Sequence, residues 1–153
     1  MNLLTKNLLL ILMGWAAGFH AVAGNFSVAS YNVELYTDHP FAGDRPKTAE
    51  SKLRVQDSIL ELRADVLALQ EMGSTNLLLE LRAALAKRGL DYPHWEWVEG
   101  RDTNLHLALF SRFPIIQRRP QTNLSFLLNG RRFQVARGFL EVDFKWAANT
   151  VSE

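Results

Sequence analysis

Asn32 and Glu71 are the residues of this sequence whose type and position invite chemistry. Asn32 lies at the polar end of the run NFSVASYNVELY, and Glu71 closes the apolar run DVLALQEM. A carboxylate at the end of a buried strand must be hydrated, paired or bound to a cation. Hard divalent ions such as Mg²⁺ favour oxygen ligands of this kind and keep several waters. If the two strands are parallel and joined through a helix, their carboxyl ends share one edge of the sheet, where ligands bind in open α/β folds. Spacing alone leaves other roles open. Glu71 could cap a following helix or pair with an arginine, and Asn32 could simply form a turn.

Elements able to hold these residues can be read from the pattern. Alternation with β-branched residues predicts a strand over Phe26–Val33, and TDHPFAGDRP, with Pro40, Gly43 and Pro46, predicts a surface loop. From Thr48 to Arg63 the period becomes helical, with Val55, Ile59 and Leu62 on one face, widened by Leu53 and Leu60. Val66, Leu67, Ala68 and Leu69 form a continuous apolar run, the mark of a central strand over Asp65–Glu71. A second helix is predicted over Asn76–Arg88, with Leu78, Leu81 and Leu85 inward and Gly89 as its stop. Beyond it the chain is strand-rich, in DYPHWEWV, LHLALFS and FLLNGRRFQVARGFLEVDF, with a hairpin turn at Asn129–Gly130. This order predicts a layered α/β sandwich with both helices on one face of a sheet. The sequence offers no elements for a layer on the opposite face, which predicts an incomplete domain.

Composition bounds the rest. At 153 residues and 48% hydrophobic the chain can build one real core, and its formal charge of +1 names no bulk polyanion or membrane partner. The absence of cysteine excludes disulfides, thiolate metal sites and a cysteine nucleophile. Lys6, the apolar run LLLILMGWAAGF and the small residues Ala21 and Ala23 predict a signal peptide over residues 1–23, a mature domain over 24–153, export to the periplasm or beyond, and no stable membrane insertion after cleavage. From Gly100 onward eight Lys and Arg face four acids, a surplus that would draw a phosphodiester backbone or form a solvated face.

The segments SYNVELY, ADVLALQEM preceded by the helix that carries Lys52, and NLHLALFSRFPI together resemble the amino-terminal half of the endonuclease/exonuclease/phosphatase family, the DNase I-like fold. The likeness runs from about Phe26 to Phe144. It implies a partial four-layer α/β sandwich, comprising the first sheet and its covering helices. It also implies a metal-dependent phosphoester hydrolase acting on a phosphodiester or phosphomonoester, possible substrates including nucleic acid, since the family spans DNA, RNA, inositol phosphates and sphingomyelin. Glu71 would bind the catalytic Mg²⁺ (or Mn²⁺ or Ca²⁺), and Asn32 would belong to the same site. Arg137, in VARGFLEVDF, would contact substrate phosphate, with an ordinary strand-edge arginine as the alternative and Arg131 and Arg132 as competitors. Family members also carry a downstream catalytic His, a GDFN segment and a terminal Asp-His pair, none of which occurs here. The chain is therefore expected to be a fragment truncated at its carboxyl end, of low activity alone, whose missing half a separate chain could supply. The competing expectation is a non-catalytic exported module that binds through the basic last third. His106 is expected to be packed rather than catalytic, and Tyr31, Trp95 and Trp97 to be core or rim residues. Gly73 stands where the secreted DNases carry an arginine, which separates the chain from them.

Overall fold

The computed structural model describes residues 25–146; the expected leader over residues 1–23, with His20, lies outside the described residues. The described elements are β1 (Val28–Tyr36), α1 (Ala49–Leu62), β2 (Val66–Met72), α2 (Thr75–Lys87), β3 (His94–Val98), β4 (His106–Ser111), β5 (Ile115–Arg118), β6 (Ser125–Leu128), β7 (Arg131–Gln134) and β8 (Val142–Phe144). The α/β class expected from the sequence is observed.

β1 to β4 form one sheet in the order β1-β2-β4-β3. β1 and β2 are parallel, joined through α1, while β4 runs antiparallel to both β2 and β3. The register aligns Ala29, Leu67, Phe110 and Trp95 in one row, and Tyr31, Leu69, Ala108 and Trp97 in the next. Side chains alternate along a strand, so both rows lie on one face. There they meet Val55 and Ile59 of α1 and Leu77, Leu78, Leu81 and Leu85 of α2 in a single core. Complete burial of each such leucine or isoleucine contributes about 1.5–3 kcal/mol. Tyr92 stacks on Phe110 at 5.3 Å and donates its hydroxyl to the Ala64 carbonyl at 2.7 Å, so its polar end is satisfied.

The helices stop where the sequence says they should. Thr48 caps α1 by accepting the Ser51 N–H, and Arg63 ends it in a left-handed conformation. Ser74 caps α2, and Gly89 follows it at φ +83°. One expectation fails on α1: Leu53 and Leu62 are exposed, at 53% and 50%. Leu53 points almost opposite Val55 on the helical wheel, and Leu62 occupies the last turn, so the apolar face narrows to Val55 and Ile59 with Leu60 beside them.

The second face of the sheet is polar and open along β1, where Val28, Ser30 and Asn32 are exposed and Gln70 donates to Ser30 at 2.5 Å. Toward β3 it is met by the β5–β8 ladder, through an ion pair between Arg118 and Glu96. Phe26 adds edge contacts to Phe113 and Phe144 at 5.8 and 5.6 Å. A longer hairpin, bridged at its base by Gln121 and Phe139, carries β6 and β7 at its far end.

Candidate active site

Both parallel strands break their register at the same edge. β1 advances from Asn32 to Tyr36 while β2 advances only from Gln70 to Met72, and β2 in turn bulges against β4 between Leu69 and Met72. The extra residues take left-handed backbone: Glu34 and Leu35 at φ 51° and 50°, Glu71 at φ 62°. None is glycine, so each conformation is strained by roughly 1–2 kcal/mol. Bulges re-aim side chains, and here they turn Glu71 and the Leu35 N–H toward each other. The Leu35 N–H donates to Glu71 Oε2 at 3.1 Å.

Asn32 serves this geometry in two ways. Its Oδ1 accepts the Glu34 N–H at 2.8 Å, closing the local turn at the strand end. The Asn32 side chain also lies close enough to the Glu71 carboxylate to lower its pKa. The turn-forming role that the sequence offered for Asn32 is therefore present. Beside Asn32 opens a cleft of about 320 Å³ that also reaches Lys47 and Ser51.

Arg137 arrives from a distant part of the chain. Ala136 accepts the N–H groups of Arg101 and Asp102 at 2.8 and 2.9 Å, which docks this segment on the loop after β3. Gly100 makes the approach possible, because a Cβ there would lie 2.6 Å from the Ala136 carbonyl oxygen and 2.8 Å from the Arg137 Cα. The guanidinium then lies 3.5 Å from Glu71 Oε1 and 3.5 Å from Asp102 Oδ2. Asp102 is itself fixed by the N–H groups of Asn104 and Leu105 at 3.0 and 3.1 Å. Sequence reasoning missed both Asp102 and Gly100. The turn-forming run Asp102-Thr103-Asn104 was the available signal for the first.

Burial pushes the Glu71 carboxyl up, but the Asn32 amide, the Leu35 N–H and Arg137 outweigh it and hold it below its ordinary value. Asp102 is likewise lowered, burial being outweighed by the Asn104 and Leu105 N–H groups and by Arg137. Groups held below their unfolded values contribute stability that is complete above the ordinary carboxylate range and is lost as the pH falls through the folded, lower range. Arg137→Ala is expected to raise the titration midpoints of both carboxyls, read by NMR of their carboxyl carbons, and to move acid unfolding to higher pH. Unchanged midpoints would mean the guanidinium is not their counter-ion.

The chemistry of the donors suits a hard dication. Glu71 is ionised at neutral pH, one of its oxygens is held only loosely by Arg137, and the Asn32 amide adjoins it. Among the described residues no group of three His, Cys, Asp or Glu could hold a metal, so an ion bound here would keep much of its water, as Mg²⁺ does.

None of the described histidines hydrogen-bonds Glu71, Asn32 or Arg137. Both ring nitrogens of His39 face oxygens, Asp38 Oδ1 at 3.0 Å and Asn104 Oδ1 at 3.2 Å, and these bonds raise its pKa. His94 opens β3 opposite Ser111, at the far edge of the sheet from Glu71. His106 is buried, lies 4.2 Å from the Trp97 ring, and is held neutral by burial. Trp95, Trp97 and Tyr31 pack against the core, and the Trp97 indole donates to the Gly73 carbonyl at 3.0 Å. Gly73 cannot carry a side chain without collision, since a Cβ would lie 2.6 Å from the Tyr36 carbonyl oxygen.

Among the described residues, four of the eight basic residues from Gly100 onward are ion-paired, Arg137 being one of them. Arg112 pairs with Asp65, Arg118 with Glu96, and Arg119 with Glu141 and Asp143.

The family model for the endonuclease/exonuclease/phosphatase family matches residues 29–148. Among solved structures the chain is similar to SmcL, at 21% identity and a TM-score of 0.41, over 75% of this chain and 48% of that one. The chain thus spans about half the length of that structure. No curated protein matches the sequence.

Proposed function

The chain belongs to the endonuclease/exonuclease/phosphatase family, and from that membership we propose that it is an exported, divalent-metal-dependent hydrolase of phosphodiesters or phosphomonoesters. The observation that carries this reading is the ionised Glu71 carboxylate, oriented by Asn32 and Leu35 at a strained strand end and within reach of a half-buried guanidinium. Glu71 and Asn32 would hold the ion, which when bound polarises a phosphoryl oxygen and stabilises the leaving group. Arg137 presents a planar fork of donors suited to two phosphate oxygens, and its two carboxylate partners fix where that fork stands. Asn32 helps hold the Glu71 carboxyl below its ordinary pKa.

A general base remains to be supplied. A base placed beside the site, on this or a separate chain, would raise the rate by roughly a hundred- to ten-thousand-fold. Turnover by this chain alone is expected to be slow. The alternative, a non-catalytic module that binds through the basic third, is weakened by the ion pairs that occupy Arg112, Arg118 and Arg119.

Hydrolysis of bis(p-nitrophenyl) phosphate by the purified chain, with Mg²⁺ and then with excess EDTA, tests the proposal, alongside calorimetric titration with Mg²⁺. Slow turnover that EDTA removes and Mg²⁺ restores supports it. A folded chain that binds no divalent ion, or turnover indifferent to EDTA, refutes it.

A further inference from the structure

The hairpin that carries Arg137 near its base leaves its other end uncovered. β6 and β7 pair from Ser125 opposite Gln134 to Leu128 opposite Arg131. The turn at Asn129 and Gly130 has φ of 50° and 73°, the positive values a two-residue hairpin needs. Every residue of both strands is exposed, including Phe126 at 49%, Leu127 at 64%, Leu128 at 54% and Phe133 at 42%. Phe126, Phe133 and Leu128 share one face, where the two rings stack at 5.7 Å, and Leu127 projects from the other face near the turn, so the end of the ribbon is apolar on both sides. A two-stranded ribbon without a covered face is marginal in water, and contiguous exposed apolar patches mark interaction surfaces.

Charge selects the partner. Residues 121–139 contain Arg131, Arg132 and Arg137 and no Asp or Glu. Arg137 is held by Glu71 and Asp102, whereas Arg131 and Arg132 make no ion pair among the described residues. We infer that this hairpin docks on an anionic phospholipid surface, with Leu127, Leu128, Phe126 and Phe133 entering the headgroup boundary and Arg131 and Arg132 binding lipid phosphates. Apolar side chains interleaved with cations are what such an interface rewards. A nucleic acid would engage the arginines but leave the leucines in water. A second copy of the chain would bring like charges together across the ribbon, with no acid to offset them. The inference is independent of the catalytic reading, because no residue of the exposed ribbon belongs to the proposed site.

Co-sedimentation of the whole chain with phosphatidylserine-containing vesicles, and with phosphatidylcholine vesicles, tests it. Binding is expected to the anionic vesicles and to weaken with salt. The pair Arg131→Gln and Arg132→Gln should weaken it roughly thirtyfold, and Leu127→Ser roughly tenfold. These positions are exposed, so circular dichroism should show all variants folded. Absence of binding to anionic vesicles, equal binding to both vesicle types, or binding unaffected by the substitutions would overturn the inference. So would sedimentation showing that the hairpin instead mediates a dimer, or polarisation assays showing that it binds only an oligonucleotide.

Discussion

A Glu71→Gln chain is expected to lose measurable Mg²⁺ binding, together with roughly a hundred- to a thousandfold of its metal-dependent phosphodiester hydrolysis. Among the described residues no group of three His, Cys, Asp or Glu could hold a metal, and an ion at a phosphoryl group is worth several kcal/mol of transition-state stabilisation. The substitution keeps the shape of the side chain and its acceptor for the Leu35 N–H. Loss of fold is therefore a poor explanation for the effect, and thermal unfolding of the variant would show it. Asn32→Ala should act more weakly on ion binding, since it removes an orienting amide and a turn acceptor. A Glu71→Gln chain that binds Mg²⁺ as the parent does would place the ion elsewhere.

Gly100→Ala is expected to destabilise the chain by about 2 kcal/mol and to displace Arg137 from Glu71. The added methyl group meets backbone atoms of Ala136 and Arg137 at 2.6–2.8 Å, and backbone cannot step aside as a side chain can. The Arg101 and Asp102 N–H groups would lose their shared acceptor on Ala136, so their hydrogen exchange should accelerate relative to that of β2. Thermal unfolding gives the first quantity and amide exchange the second. Exchange at Arg101 and Asp102 unchanged from the parent would show that the loop accommodates the methyl without releasing the arginine.

The parts of the fold that depend on period were legible in the sequence. Leu78, Leu81 and Leu85 repeat at helical spacing and are buried on α2, and Val66 to Leu69 read as a central strand and lie between β1 and β4. The parallel edge shared by Asn32 and Glu71 followed from the helix between their strands. The bulges that turn Glu71 toward Leu35 had no signal, because left-handed backbone at glutamate and leucine contradicts local preference and is imposed by pairing. Arg137 reaches Glu71 across 66 positions of sequence, through a docking contact at a glycine that looks like any other loop glycine. The basic last third left a polyanion site and a solvated face both open for a similar reason: charge counts register arginines but not the carboxylates they meet after folding.

The kink in β1 also bears on how the protein behaves in company. Among the described residues β1 is an outermost strand, paired with β2 alone, so its other margin offers unmatched amides and carbonyls to an extended chain. The left-handed turn at Glu34 and Leu35 ends the straight portion of that margin at Asn32, and the acidic side chain of Glu34 stands exposed just past it. Distortion that aims a carboxylate thus also shortens the template available for strand addition, and straightening β1 would be expected to raise the tendency to polymerise.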